Sequence, residues 1–330
     1  MKLVKTLAAK ALIVTALGGL AVMNGAIAAE AAPQKVAITT IVEHPALEEI
    51  RKGIVDQLAN EGFVDGKTIK IDYQNAQGSS ATAGQIARKF VGDNPAVIIP
   101  ITTPSAQPVA AATRQIPVVF SAITDPLAAK LVKQWGKNAG NVAGVSDQIP
   151  LEPQVDLIRT LVPNVKTIGY VYSPGEANSV AVLEMLKAAA EKEGISVLAV
   201  PAQRTIDIST AARSLVGKVQ VIYTSTDNNV VSAYDALYKV AVENKIPLIA
   251  ADFGSVERGA IAALATNQYN IGVETGKMAA QVLRGVKVSD LETTRMDDLD
   301  LYLNPQAGQL QGVTIPQTLL DNATRVVNAQ

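Results

Sequence analysis

Four polar clusters in this chain could do chemistry, and each stands where an apolar run gives way to a helical pattern. Thr102-Thr103-Pro104-Ser105 follows Val97–Ile101, and Ser121-Ala122-Ile123-Thr124-Asp125-Pro126 follows Pro117–Phe120. Gly175-Glu176-Ala177-Asn178-Ser179 follows Thr167–Tyr172, and Thr226-Asp227-Asn228-Asn229 follows Val219–Tyr223. Hydroxyls and free backbone N–H groups at a helix start form an anion site suited to a carboxylate. The same residues serve equally as ordinary helix caps, and both readings stand. Asp227 matches the first cluster in position; it either caps a helix or, across a cleft, meets an ammonium group.

Other chemistry is largely excluded. The chain has no cysteine and one histidine, His44, so thiolate sites, disulfides, multi-histidine metal sites and a lipid-modified N-terminal cysteine are out. No Gly-x-Ser-x-Gly elbow accompanies His44, which reads as a loop or cleft residue rather than a catalytic base. Gly62-Phe63-Val64-Asp65-Gly66-Lys67-Thr68 is one residue short of a phosphate loop and precedes a strand, so it reads as a helix end and turn. No Gly-x-Gly-x-x-Gly follows a strand. Basic and acidic residues number 29 and 30 with no like-charge block, which gives no nucleic-acid footprint. No cofactor, metal or catalytic residue is expected. Gly272 and Gly276 read as a close helix contact, Trp135 as a packing residue at a helix end, and Asn322-Ala323-Thr324 as a chance glycosylation match.

These clusters must be positioned by alternating strands and helices. Strands are expected at Lys35–Ile41, Thr68–Asn75, Ala96–Ile101 and Pro117–Ile123, with helices at Ala46–Gly62, Thr82–Asp93 and Ser105–Gln115 between them. The order repeats with strands Thr167–Tyr172, Ser196–Pro201, Val219–Tyr223 and Pro247–Ala251, and helices Ala177–Gly194, Ile206–Val216 and Val230–Asn244. Gln115–Phe120 aligns with Lys245–Ala250, and Val97–Ile101 with Val221–Tyr223. Strand Ala260–Thr266, helix Gln268–Gly285, a polar stretch Asp290–Asp298, strand Leu299–Leu303 and a terminal helix Gln317–Val327 follow. The fold class is therefore α/β: two Rossmann-like lobes with parallel sheets, joined by three crossings. Lobe one is expected at 34–146 plus 254–288, and lobe two at 147–253 plus 289–330.

Residues 1–28 carry Lys2, Lys5 and Lys10 with no acid, then the apolar run Ala11–Met23 and the triplet Ala26-Ile27-Ala28. That is the order of a cleaved secretory leader; the run is short beside the roughly 20 residues of a membrane span. Removing three lysines leaves 26 basic against 30 acidic residues, a net −4. The mature chain is expected to be a soluble periplasmic protein beginning near Ala29, and no lipoprotein.

The sequence resembles the substrate-binding proteins of ABC transporters with the type 1 periplasmic-binding fold, in the branch associated with tryptophan and other aromatic amino acids. The resemblance rests on Ile41–Leu47, Tyr73–Gly78, Thr103–Gln107, Pro117–Ala122 with Thr124–Pro126, Pro174–Ser179, Thr226–Asn228, Ser255–Ala260 and Thr275–Ala280, and it covers Lys35–Val327. It implies a monomer that closes by hinge motion on a small ligand, with a membrane permease and its cytoplasmic ATPase as partners. The ligand set expected on it is Thr40 and Glu43 after the first strand, Thr103, Ser105, Ser121, Thr124 and Asp125 in lobe one, and Glu176, Asn178, Ser179, Thr226, Asp227, Asn228 and Asp252 in lobe two. The Thr103/Ser105 and Ser121/Thr124 loops would take a ligand carboxylate, and Asp227 or Asp252 its ammonium. A receptor-docking sensor module and, less compatibly, an exported α/β hydrolase remain as alternatives.

Overall fold

A computed structural model describes residues 32–327; the expected leader at 1–28 lies outside them. The first lobe runs β1 (Gln34–Thr40), α1 (Pro45–Asn60), β2 (Ile69–Asn75), α2 (Ser80–Asp93), β3 (Val97–Ile101), α3 (Thr103–Ala112), β4 (Val118–Ser121), β5 (Gly136–Lys137) and β6 (Val142–Ser146). The second runs α4 (Glu152–Leu161), β7 (Thr167–Tyr172), α5 (Ala177–Lys192), β8 (Ser196–Pro201), α6 (Ile208–Leu215), β9 (Val221–Thr224), α7 (Asn228–Ser232), α8 (Tyr234–Asn244), β10 (Leu248–Ala250), α9 (Phe253–Glu257) and β11 (Ala262–Ala265). The chain then returns through α10 (Gln268–Leu283) and β12 (Glu292–Arg295) to the first lobe. It ends in the second with β13 (Asp300–Leu303), α11 (Pro305–Leu310), α12 (Gln317–Asp321) and β14 (Arg325–Val326).

The two seven-stranded sheets have the orders β2-β1-β3-β4-β6-β12-β5 and β14-β13-β11-β10-β9-β7-β8. Within them β2-β1-β3-β4-β6 and β8-β7-β9-β10-β11 are the same parallel arrangement. The repeat read from the sequence is therefore a repeat of topology, with β3 matching β9 and β4 matching β10. Central strands are buried on both faces, which is why β3 (Val-Ile-Ile-Pro-Ile) is an unbroken apolar run without polar alternation. Helix α1 starts on Pro45 and buries Leu47, Ile50, Ile54 and Leu58 at helical spacing. One apolar core fills the first lobe, and two, one on each face of the sheet, fill the second.

Several expectations need correction. The crossings between sheets follow Ser146, Ala265 and Arg295, so the expected boundaries at 254 and 289 come too early: β11 pairs with β10 in the second sheet, and β12 with β6 in the first. Strand β12 falls in the stretch 290–298, which the sequence predicts only as polar chain. Its backbone pairs on both sides while only Thr293 is buried, so it carries no apolar signal. The expected terminal helix stops at Asp321; Thr324 donates its N–H to the Leu301 carbonyl at 2.8 Å, and Val327 its N–H to that of Leu303 at 2.7 Å, which turns the chain into β14. Trp135 is not helical and is 37% exposed. Its loop is braced by Asn138, whose carbonyl accepts from the N–H of Lys133 and Gln134 at 3.1 and 3.2 Å.

Helices α1 and α10 pack at backbone contact. A Cβ on Gly272 would lie 2.1 Å from the Ile50 carbonyl oxygen, and one on Gly53 would lie 2.2 Å from that of Tyr269. Only glycine allows that approach, because the obstructing atoms are backbone and cannot rotate away. Gly272→Ala should therefore cost about 1–3 kcal/mol in chemical denaturation. Gly92→Ala, on the same lobe with open space around its Cβ position, should be neutral or slightly stabilising; equal losses at both would contradict the packing argument.

Candidate functional site

Every central strand of both sheets ends at one cleft. A chamber there is lined by His44 after β1, Thr102 and Thr103 after β3, Ala122 and Thr124 after β4, and Asp147 after β6. From the second lobe come Asn178 at the start of α5, Thr226 and Asn228 after β9, and Asp252 after β10, with Gln268 at the second crossing. Ala46, Leu47, Ile50 and Val231 supply apolar wall. A second, smaller chamber shares Thr124, Asp147, Thr226 and Gln268 with the first and extends to Ile149, Val182, Tyr223, Ser225, Ala251 and Thr266.

The cleft holds buried polar atoms with no partner in the protein. They include the Thr102 and Thr103 hydroxyls, Asp147 Oδ1, Asn178 Oδ1 and His44 Nδ1. Buried polar groups are nearly always paired, so this concentration in one cavity marks a place where something else supplies partners. Backbone strain collects there too. Thr102 has φ +74° and Ala122 φ +52°, left-handed values that a residue with a Cβ adopts at a cost of order 1–3 kcal/mol and that cluster at functional sites. Helix α3 begins at Thr102 without a side-chain cap, which leaves the positive end of its dipole open to the chamber.

Asp147 is the carboxylate of this cavity. It begins the first crossing and is 8% exposed. One oxygen has no hydrogen-bond partner, and the other accepts from the Thr226 hydroxyl at 3.5 Å. Desolvation pushes its pKa up to about 6, against the opposing pull of the Thr124 hydroxyl, its own backbone N–H and the Thr226 hydroxyl. His44 moves the other way: desolvation first, then the positive charge of Arg258, lowers it to about 4, so the ring is neutral at pH 7. Burial also raises the Asp252 carboxyl, although it accepts from the Ser255 N–H at 2.8 Å and hydroxyl at 2.6 Å.

Of the residues expected from the sequence, Thr103, Thr124, Asn178, Thr226, Asn228 and Asp252 line the chamber. Asp227 does not. Its carboxylate accepts from Ser173 N–H at 2.6 Å, the Ser173 hydroxyl at 2.9 Å, the Ser179 hydroxyl at 2.6 Å, and the N–H groups of Asn229 and Val230 at 3.0 Å each. Five donors consume it, so it holds the β7 and β9 loops together and has no capacity left for an ammonium group. Ser179 is used up in the same knot. Glu176 lies beside it, accepting from the Asn228 side chain at 2.7 Å and the Asn178 side chain at 3.2 Å; burial, then the Asp227 charge, raises its pKa.

The remaining expected residues serve the frame. The Thr40 hydroxyl bonds that of Tyr73 at 2.8 Å, and Glu43 is exposed. Ser121 bonds Thr275 at 2.8 Å beneath α10, and Asp125 accepts from the N–H of Leu127 and Ala128 at 3.0 and 2.8 Å. Ser105 is buried and unpaired but outside the chamber wall. Thr102 belongs to the first polar cluster of the sequence, whereas nothing in the sequence reading points to Asp147 or Gln268. Asp147 follows Val142–Ser146, a strand of small residues that was not recognised, so no strand end pointed to it.

The sequence model of the family described as ABC transporter substrate binding protein matches residues 35–327. The chain belongs to the ABC transporter substrate-binding family. A tyrosine-binding protein of Clostridioides difficile is 40% identical over 271 residues, covering 82% of this chain and 79% of that protein. A Streptococcus pneumoniae ABC domain in complex with L-Trp superimposes with a TM-score of 0.87 at 37% identity, over 90% of this chain and 100% of that one. A ligand-free, open structure of a substrate-binding protein with adhesive properties from Clostridium difficile gives 0.68 at 40% identity, over the same shares. The open structure is no more distant in sequence than the L-Trp complex, yet it superimposes less well. Among the described residues of this substrate-binding protein no helix is long and apolar enough to cross a membrane.

The division of labour between the two aspartates can be measured without a ligand. Asp227→Asn places an amide where five donors converge and should lower the stability of the free protein by about 1–3 kcal/mol. Asp147→Asn removes a buried, half-paired charge and should leave the melting temperature unchanged or raise it. The opposite ranking in thermal denaturation would reverse the assignment.

Proposed function

We propose that this protein is the periplasmic binding component of an ABC importer and that its cleft takes an L-α-amino acid with an aromatic side chain. The carrying observation is the pairing of unmet needs in one cavity: an unpaired buried carboxylate oxygen on Asp147, and the unpaired hydroxyls of Thr102 and Thr103 at the uncapped start of α3. In this reading the ligand ammonium pairs with Asp147, because an isolated buried charge is costly. The ligand carboxylate takes the Thr102 and Thr103 hydroxyls and the helix dipole. Asn178, Asn228 and Asp252 complete the polar rim. The tyrosine-binding relative and the L-Trp complex support an aromatic side chain.

Binding closes the lobes, here read as 34–146 with 267–296 and 147–266 with 297–327, and the closed surface is what a membrane permease and its ATPase respond to. The leader at 1–28 would deliver the chain to the periplasm, with the cut before Ala29. The cleft contributes recognition rather than catalysis: its sole imidazole is held neutral, and no serine is bonded to it.

Asp147 makes the reading pH-dependent, with a definite sign. Its carboxyl titrates near 6 in the unliganded cleft, and an ammonium partner favours the charged form, so binding releases a proton where Asp147 is protonated. Affinity should therefore be flat above pH 7 and fall as pH drops, to about tenfold weaker at pH 5. Protein unfolded and refolded to remove carried-over ligand should bind L-Tyr or L-Trp in calorimetry with this profile. Asp147→Asn should weaken binding by at least tenfold and abolish the pH dependence. Tight binding of a sugar with none of any amino acid would overturn the reading.

A further inference from the structure

The second chamber has an unmet need of its own. Tyr223 on β9 is fully buried and lines that chamber, and its hydroxyl has no partner. Its neighbour Tyr170, stacked on it with ring centroids 6.4 Å apart and planes at 19°, is fully served: its hydroxyl pairs with Ser225 Oγ at 2.7 Å and donates to the Ser179 carbonyl at 3.2 Å. Two equivalent phenols thus lie side by side, one satisfied by the protein and one left over against the cavity. Burial drives the Tyr223 phenol up from its usual range, so it stays protonated and can both donate and accept.

The chamber around it has the form of a side-chain subsite. Ile149, Val182 and Ala251 give it apolar wall, and it joins the main chamber across Asp147 and Thr226. The second chamber has room for about one water as it stands, so a ligand held by its ammonium at Asp147, with its α-carbon at that junction, directs its side chain toward Tyr223 and enters as the chamber widens. Building on the amino-acid reading above, we propose that Tyr223 is a specificity-determining residue that hydrogen-bonds the para-hydroxyl of L-tyrosine and so sets the preference among aromatic amino acids. Sites that hydrogen-bond a ligand hydroxyl reject the analogue lacking it more strongly than apolar pockets reject a size change, because the protein's own polar group is then left unpaired.

The experiment is calorimetry with L-Tyr and L-Phe on refolded wild type and Tyr223→Phe, which keeps the ring and its stacking. Wild type should bind L-Tyr at least tenfold more tightly than L-Phe. Tyr223→Phe should lose tenfold or more for L-Tyr while keeping L-Phe within about twofold, and that retained affinity also shows that the variant is folded. A Tyr-to-Phe affinity ratio unmoved by the substitution, as when a water rather than the ligand pairs with Tyr223, overturns the role of Tyr223 alone. A wild type that prefers L-Phe does the same. A wild type that binds neither overturns the amino-acid reading and this one with it.

Discussion

A carboxylate buried with one oxygen unpaired is a costly thing to fold around, and the cleft is arranged about one. Asp147 lies at the carboxyl end of β6, where the chain first leaves the first lobe. Among the described residues no cation pairs with it: the His44 imidazole of the same cavity is kept uncharged, and the Arg258 guanidinium is engaged with Asp235 at 2.9 Å and with the Val231 carbonyl. Desolvation without compensation leaves an electrostatic deficit that a cation can fill. The uncapped α3, with the left-handed Thr102 and Ala122, makes the opposite arrangement in the same cavity, where a helix N-terminus and two unpaired hydroxyls can meet an anion. Together they define a dipolar cavity.

Against that deficit stands the Asp227 knot, where a second buried carboxylate is fully provided for. Its five donors come from the segments after β7 and β9, and the knot fixes where Asn178 and Asn228 stand. Glu176, tied to both asparagines, adds a second charge that burial and Asp227 together disfavour. The second lobe thus spends its charged groups on holding its loops rigid, and the junction between the lobes keeps one free. Rigidity on one side and an open valence on the other are what a closing cleft needs.

The fold was legible because its signals are local. Parallel strands buried on both faces read as apolar runs, α1 shows its buried stripe at helical spacing, and the Gly272/Gly276 pair announced a close helix contact. The site was legible only to the level of which loops matter. Asp227 and Asp147 both follow strands at the cleft, and sequence does not show whether a carboxylate's donors come from its own neighbourhood. Ser173 and Ser179 lie 54 and 48 residues from Asp227. Those bonds exist only once β7 and β9 are paired, and they decide which aspartate is consumed. Asp147 was hidden for a second reason: Val142-Ala143-Gly144-Val145-Ser146 has small side chains because Gly144 packs under Phe120, where a Cβ would lie 2.1 Å from the Phe120 carbonyl oxygen. A strand built to be thin looks like a loop.

The repeated strand order β2-β1-β3-β4-β6 and β8-β7-β9-β10-β11 makes the lobes equivalent in topology. In that order Asp147, directly after β6, corresponds to Thr266, directly after β11, and both line the inner chamber. A cavity between two like halves is symmetric by default and would suit a ligand with matching ends. A molecule with one cationic and one anionic end has no such symmetry, and the halves can recognise it only by ceasing to be equivalent. The difference between a carboxylate and a hydroxyl at this one pair of positions gives the cavity a direction, and with it a single orientation and a single hand for whatever it holds.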